Sequence, residues 1–505
     1  MKKFFKTIFG RLAIIGLAIV LQFFIIYLII SFLNEKLWLF QLLNGILGLT
    51  VFFNLVRRDM YPDSKLPWLF VILALPLFGT VTYLMFASNS MPRKQRKTLA
   101  KIEMQYKKHS VVSKARVLDD PYKGQSEYIT KTSGLPSYDK CECDYYPSGE
   151  SFWDALKIEL SKAEQFIFME YFIIERGVMW NEILEILIDK VKQGVEVRVM
   201  YDDIGCIGKI PANYHKKLRK QGIKCVKFNT FHPIVSGVHN NRDHRKITVI
   251  DGKVGFIGGV NIADEYINVT HPFGHWKDSA VRLKGEIIKS LTFMFLTSYQ
   301  VQTGVVEDCD KYILEEYEKY ESEGFVQAYG DGPAPAYAHH IGENVYINLI
   351  NSAQRYLYIT TPYLIIDHEM QTAIRSAALR GVDVRIITPH IPDKKLVFNI
   401  TRSNYKPLMD CGVKIYEYTQ GFVHAKNFLA DDEVGVVGTI NLDYRSLTHH
   451  YECAVWMNKV RALETLKGDF ENTFDKCMLQ DETTIKMGAM KRFACSIMSI
   501  FTPLL

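Results

Sequence analysis

Two histidine–lysine pairs carry most of the chemistry this chain could perform. His244 and Lys246 open "HRKITVID", which ends at Asp251, and His424 and Lys426 open "HAKNFLAD", which ends at Asp431, with identical spacing. Six residues after each aspartate comes a second repeated block, "GGVN" (Gly258 to Asn261) and "GTIN" (Gly438 to Asn441). A single H-x-K is expected by chance in 505 residues, whereas two copies of H-x-K-x4-D-x6-G-[GT]-x-N are not. Strand alternation puts residues i and i+2 on one face, so each histidine would share a face with its lysine.

If the two copies meet in one cleft, Lys246, Lys426, Asn261 and Asn441 would surround a small tetrahedral anion and stabilise charge on its non-bridging oxygens. One neutral imidazole could then attack phosphorus while the other, protonated, gives its proton to the departing alkoxide. The expected intermediate is a phosphohistidine. Such histidines need an acid on the other ring nitrogen to hold the tautomer. Asp278, 34 residues after His244, and Glu452, 28 after His424, are the candidates, each at the start of an apolar run. An ordinary charge at a strand edge is the alternative reading for both.

The elements that must position these groups also repeat. "AEQFIFMEYFII" (Ala163 to Ile174) mirrors "AQRYLYITTPYLII" (Ala353 to Ile366), and "KQGVEVRVMYDD" (Lys192 to Asp203) mirrors "LRGVDVRIITPH" (Leu379 to His390). Each half runs apolar strand, helix, apolar strand and then the histidine–lysine strand, which predicts two homologous α/β units. "YGDGPAPAYAHH" (Tyr329 to His340) reads as the connector between them, with His339 and His340 on the surface. "EDCDKYILEEYEKYESEGF" (Glu307 to Phe325) reads as a solvated helix. The nine cysteines are scattered, and the one C-x-C, Cys141 and Cys143, lacks a second pair, so neither a disulfide framework nor a metal site is expected. No glycine-rich nucleotide fingerprint is visible, and no cofactor is expected. The charge of +6 suits an anionic partner without naming one.

The amino terminus is apolar. Leu12 to Leu33 is a 22-residue run with Gln22 as its one strongly polar member, long enough to span a bilayer. Weaker runs follow at Leu37 to Val56 and Leu66 to Ala87, the latter containing Pro76. Two or three membrane segments ending near residue 88 are expected. Lys2, Lys3, Lys6 and Arg11 place the start in the cytoplasm. The basic stretch Arg93 to Lys108 favours a cytoplasmic catalytic part, the outer face being the alternative if all three runs cross. The tail Ile485 to Leu505 reads as an interfacial or a packing helix.

These motifs resemble the phospholipase D superfamily, and the stretches Arg242 to Tyr266, Gly412 to Ser446 and Thr360 to Asp367 are similar to bacterial cardiolipin synthases. Arg57 to Phe86 resembles that family's amino-terminal region and "TPLL" its carboxyl end, so the resemblance covers nearly the whole chain. It implies two phospholipase D-like α/β units, with mixed central sheets flanked by helices, packed about a pseudo-twofold axis behind a helical transmembrane region. The expected boundaries are 1–90 for the membrane region, 91–130 for a basic linker, 131–328 and 329–485 for the two units, and 486–505 for an amphipathic tail. The resemblance further implies that His244 attacks, that His424 is the general acid and base, and that Asp251 and Asp431 brace strand and loop. Thr439 stands where a serine commonly follows the glycine. The implied reaction joins two phosphatidylglycerol molecules into cardiolipin and glycerol at an anionic, multi-pass-anchored cell-membrane surface, without nucleic acid and with an oligomer possible in principle. Hydrolysis, another phosphatidyl transfer, or lipid binding without catalysis are the alternatives.

Overall fold

The repeated apolar runs form the parallel cores of two mixed sheets. The computed structural model describes residues 20–25, 27, 28, 37–58, 62–86, 91–109, 121–230, 240–322 and 324–504. The first half contributes β1 (Glu142–Tyr146), β2 (Phe166–Tyr171), β3 (Glu196–Asp202), β4 (Lys224–Phe228), β5 (Lys246–Ile250), β6 (Val254–Gly258), the short β7 (His275–Lys277) and β8 (Ala280–Lys284). The sheet order is β1-β8-β6-β5-β2-β3-β4, with β2, β3 and β4 parallel and the rest antiparallel.

The second half follows the same plan with β9 (Phe325–Asp331), β10 (Tyr356–Thr360), the short β11 (Leu364–Ile365), β12 (Asp383–Pro389), β13 (Lys414–Tyr418), the short β14 (Gly421–Val423), β15 (Asn427–Ala430), β16 (Val434–Gly438), the short β17 (Leu442–Asp443), β18 (Glu452–Asn458) and β19 (Cys477–Leu479). Its order, β19-β13-β12-β10-β15-β16-β18-β9, repeats that of the first sheet with one added edge strand. β9 lies in the second sheet, paired with β18, so that sheet begins at Phe325, upstream of residue 329.

Alternation decides what each strand buries. In β2, Phe166 and Phe168 face a core shared by both sheets, which also takes Val281, Val326, Val437 and Val455. Ile167, Met169 and Tyr171 face the helices Gly149–Ser161 and Val178–Lys192 on the outer side. Burial on both faces explains why these strands read as continuous apolar runs. The halves form a single compact unit of Ser90–Thr230 and Asn240–Cys495. β7 even pairs with β14 across the two halves, Trp276 opposite Phe422.

The motif aspartates do the same job in each half. Asp251 accepts the backbone N–H groups of Glu164, Gln165 and Phe166 at 2.8 Å each. Asp431 accepts those of Gln354, Arg355 and Tyr356 at 2.7, 2.8 and 2.9 Å. Both sit in the left-handed region, at φ 53° and 58°, which turns the chain out of the histidine–lysine strand while aiming the carboxylate at the start of its neighbour.

Two expectations are corrected. The stretch 91–130 is not a simple linker: the helix Arg93–His109 packs Leu99 and Ile102 into the shared core, and Gln125 of the helix Lys123–Ser133 accepts the indole N–H of Trp456. Glu307 to Phe325 is not a helix but an irregular path with one 3-10 turn at Asp310–Tyr312, because Arg198 of β3 reaches out to Glu307 at 2.7 Å and to the Tyr312 hydroxyl at 2.5 Å and holds the segment beside that strand. Among the described residues no helix is long and apolar enough to cross a membrane, so the expected transmembrane region is not confirmed. The third run is split into helices Pro62–Ala74 and Pro76–Phe86, as Pro76 lacks an N–H and its ring crowds the preceding turn. The second, Leu37–Arg57, carries Gln41, Asn44 and Asn54. The strongest run, Leu12 to Leu33, lies mostly outside the described residues.

A separate unit of Met1–Asn89, Phe231–His239 and Ser496–Leu505 contains these helices around Leu55, Trp68, Ile72 and Tyr83. In the tail helix Ala489–Phe501, Phe501 packs 6.3 Å from Phe70, while Met490, Phe493, Ile497 and Ile500 stay exposed. His339 is exposed as expected, whereas His340 is half-buried and bonded to the Leu447 carbonyl.

Asp431→Ala leaves three backbone donors unanswered at the start of β10 and is expected to destabilise the protein by about 3 kcal/mol, with Asp431→Asn costing less. Chemical denaturation of the full chain in detergent measures both.

Candidate active site

The two histidine–lysine segments converge, and their acids are exchanged between the halves. His244 Nδ1 lies 2.9 Å from both carboxylate oxygens of Glu452, and His424 Nδ1 lies 2.6 Å from Asp278 Oδ2. Backbone contacts cross in the same reciprocal way. The His244 N–H donates to the carbonyl of Tyr451, the residue before Glu452, and the His424 N–H donates to that of Lys277, the residue before Asp278. Each half therefore supplies a nucleophile-type histidine and the acid that orients the other half's histidine. With Nδ1–H given to a carboxylate, Nε2 of each ring keeps its lone pair for chemistry.

Each acid is fitted to the loop beneath it. Asp278 rests over Gly259, where an added Cβ would fall 2.1 Å from Oδ1, so only glycine leaves room for it. At the equivalent position of the second half the longer Glu452 is held from below by Thr439, whose hydroxyl donates to Oε2 and accepts the Cys453 N–H at 3.0 Å. The threonine hydroxyl thus has a defined task.

Both lysines are buried beside their histidines, Lys246 Nζ bonding the His244 carbonyl and Lys426 Nζ the His424 carbonyl, with Lys426 Nζ also 2.8 Å from His424 Nδ1. Burial pulls Lys246 down to about 8 and Lys426 down to about 7. Burial, followed by the charges of Lys246 and Lys426, holds His244 well below the usual histidine range; burial and Lys426 bring His424 down to about 4 despite Asp278. Just below pH 7 two ammonium groups thus face Asp278 and Glu452 with both imidazoles neutral. The ensemble is balanced, and a bound phosphodiester would tip it to net negative, raising the proton affinity of a histidine facing the leaving oxygen.

The expected amides play different parts. Asn261 is a brace, its Oδ1 accepting the Ile173 N–H at 3.0 Å and its Nδ2 donating to the Tyr266 hydroxyl at 2.7 Å. Asn441 keeps a buried Oδ1 without a partner among the described residues. Asp251 and Asp431 sit at the far ends of their strands, bonded to backbone rather than to the histidines.

Other participants were not picked out from the sequence. Arg245 is pinned by Glu170 at 2.7 Å and Asp243 at 3.1 Å, and the Asp243 N–H donates to Asp202, which fixes the turn that presents His244. Trp276 and His450 stand two residues before the acids Asp278 and Glu452 and pack 5.3 Å from His424 and 5.5 Å from His244. That two-residue offset is the signal that could have found them. His244, His450 and Glu452 do offer metal-ligand atoms within 4.8 Å of one another. A cation there would have to break the His244–Glu452 bond beside two ammonium groups, so the donor set does not fit one well.

Residues 156–279 and 346–478 match the family model described as cardiolipin synthase, PLD-like domain, and residues 46–87 match that of the phospholipase D-nuclease N-terminal region. A cardiolipin synthase of Geobacillus sp. (strain WCH70) is 31% identical, with 94% of this chain and 96% of that protein covered. The chain belongs to the cardiolipin synthase family. It is accordingly a phosphatidyltransferase of the phospholipase D type. The cardiolipin synthase 2 of Bacillus anthracis is 34% identical over 83% of this chain and 82% of its own, and an uncharacterised protein of Streptococcus mutans is 44% identical over 86% and 94%. Among solved structures, the phosphatidylserine synthase of Haemophilus influenzae shares the fold, at TM-score 0.58 and 14% identity, over 76% of this chain and all of its own.

Two predictions follow from this geometry. Thr439→Ser should retain activity and Thr439→Val should lose roughly 10- to 100-fold, as expected for removing one hydrogen bond to a charged group, read as initial rates on phosphatidylglycerol vesicles. For kcat/KM, which reports the free enzyme, activity should decline as the pH rises above about 4, since the general acid His424 is neutral there and must take up a proton when substrate binds. The decline should steepen past about 7 to 8, where Lys426 and then Lys246 lose their protons.

Proposed function

We propose that the protein joins two phosphatidylglycerol molecules into cardiolipin and glycerol through a phosphatidyl-histidine. One observation carries this reading: the crossed His244–Glu452 and His424–Asp278 pairs, with Lys246 and Lys426, make one buried, charge-balanced site for a single phosphodiester. His244 Nε2 attacks phosphorus while Glu452 takes up the positive charge growing on the ring through Nδ1–H. The two ammonium groups neutralise the non-bridging oxygens. His424, its proton affinity raised by the bound anion, protonates the departing glycerol, then removes the proton from the incoming hydroxyl of the second lipid. One phosphodiester is exchanged for another, so no nucleotide is consumed.

We place this reaction at the cell membrane, with the catalytic part on the cytoplasmic face. The apolar run Leu12 to Leu33 supports this, as do the exposed apolar side chains Trp38, Leu43, Phe53, Phe70 and Leu84 on the amino-terminal helices. The exposed cations Arg93, Lys94, Arg96, Lys97 and Lys101 support the cytoplasmic side. An anionic bilayer also holds donor and acceptor lipids at high local concentration.

The test is product analysis in phosphatidylglycerol vesicles without nucleotide. Wild type is expected to give cardiolipin and glycerol, and His244→Ala and His424→Ala to give neither. Quenching in denaturing detergent at mildly alkaline pH, where the P–N bond survives, should trap the phosphatidyl group on His244. Phosphatidic acid as the main wild-type product would make the protein a hydrolase instead.

A further inference from the structure

The site is near-symmetric in its histidines, lysines and acids, but not in what surrounds the two histidines. His244 has Phe172 at 5.1 Å and His450 at 5.5 Å. His424 is walled by aromatic rings: Trp276 at 5.3 Å, Tyr266 at 5.4 Å and Phe422 at 6.0 Å, with Phe273 and Tyr363 packed behind Phe422. Trp276 is locked in place, since Asn268 bonds both its N–H, at 2.7 Å, and its carbonyl, at 3.0 Å.

The polar groups of this wall are not equivalent. The Tyr266 hydroxyl is taken by Asn261, and the Tyr363 hydroxyl donates to Asp393 at 2.6 Å. The Trp276 indole N–H is shut off from solvent and has no partner among the described residues. Leaving such a donor unmet is costly, and buried tryptophan usually finds an acceptor. A donor held unsatisfied beside a reacting histidine is a place for a ligand oxygen.

Which ligand follows from the direction of the reaction. In an in-line exchange on phosphatidyl-His244 the alcohol arrives on the side away from His244, next to His424. An alcohol carrying a second oxygen on the adjacent carbon could present its reacting hydroxyl to His424 and its neighbour to the indole N–H, which a water molecule cannot do. We propose that Trp276 and the rings around it form the acceptor subsite, selecting a vicinal diol such as a glycerol headgroup over water and simple alcohols. This rests on the phosphatidyl-transfer reading above. In the step concerned, the hydroxyl oxygen forms its bond to phosphorus as the P–Nε2 bond to His244 breaks. The electron pair of that bond returns to Nε2 of His244, and the hydroxyl proton passes to Nε2 of His424. The indole N–H stays hydrogen-bonded throughout, and the apolar rings keep bulk water from the intermediate.

The experiment uses the full chain in phosphatidylglycerol vesicles with water-soluble acceptors in competition: ethylene glycol, 2-methoxyethanol and 1-propanol. The ether oxygen of 2-methoxyethanol accepts a hydrogen bond but donates none. With wild type, ethylene glycol and 2-methoxyethanol are expected to capture the phosphatidyl group comparably, and about tenfold better than 1-propanol, the ratio one hydrogen bond can supply. Trp276→Phe keeps the ring and removes the N–H. It should bring the three alcohols together and raise the share of phosphatidic acid, while the detergent-trapped phosphatidyl-enzyme, the control for folding and the first step, still forms. Wild type showing no preference for the two oxygen-bearing acceptors, or a trapping-competent Trp276→Phe keeping that preference, would overturn the inference while leaving phosphatidyl transfer standing. Failure of wild type to form a phosphatidyl ester with any alcohol or with a second phosphatidylglycerol would remove both.

Discussion

The exchange of carboxylates between the halves governs the rest of the molecule. Neither half has a competent histidine of its own: His244 is oriented by Glu452, 208 residues away, and His424 by Asp278, 146 residues away. A hydrogen bond of this kind tolerates errors of only a few tenths of an ångström, so the two sheets must meet in a fixed relation. That explains why the core between them is the broadest in the protein, drawing on β2, β5, β6 and β8 from one side and β9, β15, β16 and β18 from the other. It also explains the short pairing of β7 with β14, which ties Lys277, the residue before Asp278, to Val423, the residue before His424.

Burying four charges and two imidazoles together is expensive unless they answer one another. Here Glu452 and Asp278 answer the histidines and lysines, and Glu452 is itself held by Thr439. The fall of Lys246 to about 8 and Lys426 to about 7 is the remaining cost of that burial, and it is also useful. An anion entering the site restores a full positive charge on both lysines, so part of the desolvation already borne by the folded protein is recovered when the phosphodiester binds.

Much of this was legible in the sequence, and the parts that were not share a cause. The repeated H-x-K-x4-D blocks revealed two equivalent strands because a period-two motif is local. The mirrored runs at 163–174 and 353–366 revealed the parallel strands β2 and β10 for the same reason. Asp278 and Glu452 could be chosen as acids from their positions, but spacing along the chain cannot say that each serves the other half's histidine. The brace formed by Asn261 with Ile173 and Tyr266 was likewise invisible, since an asparagine's role depends on which backbone groups the fold leaves unpaired. Charge patterning misread Glu307 to Phe325, where a buried Arg198 on β3 recruits an acidic residue, and it hid the apolar face of Arg93–His109 beneath a dense set of cations.

Duplicated halves create a difficulty that the sequence differences between them resolve. A two-step exchange needs one histidine to attack phosphorus and then be displaced from it, and the other to shuttle a proton, so the halves cannot remain alike. The divergence falls where it can separate those tasks without disturbing the shared frame. Under the acids, glycine with aspartate in one half becomes threonine with glutamate in the other, so that Asp278 rests directly against the backbone of Gly259 while Glu452 stands on a hydroxyl. Two residues before the acids, tryptophan in one half becomes histidine in the other, which gives His424 an apolar wall and His244 a polar neighbour. The braces made by Asp251 and Asp431 stay the same in both halves, because holding a strand in register is a task that both must perform identically.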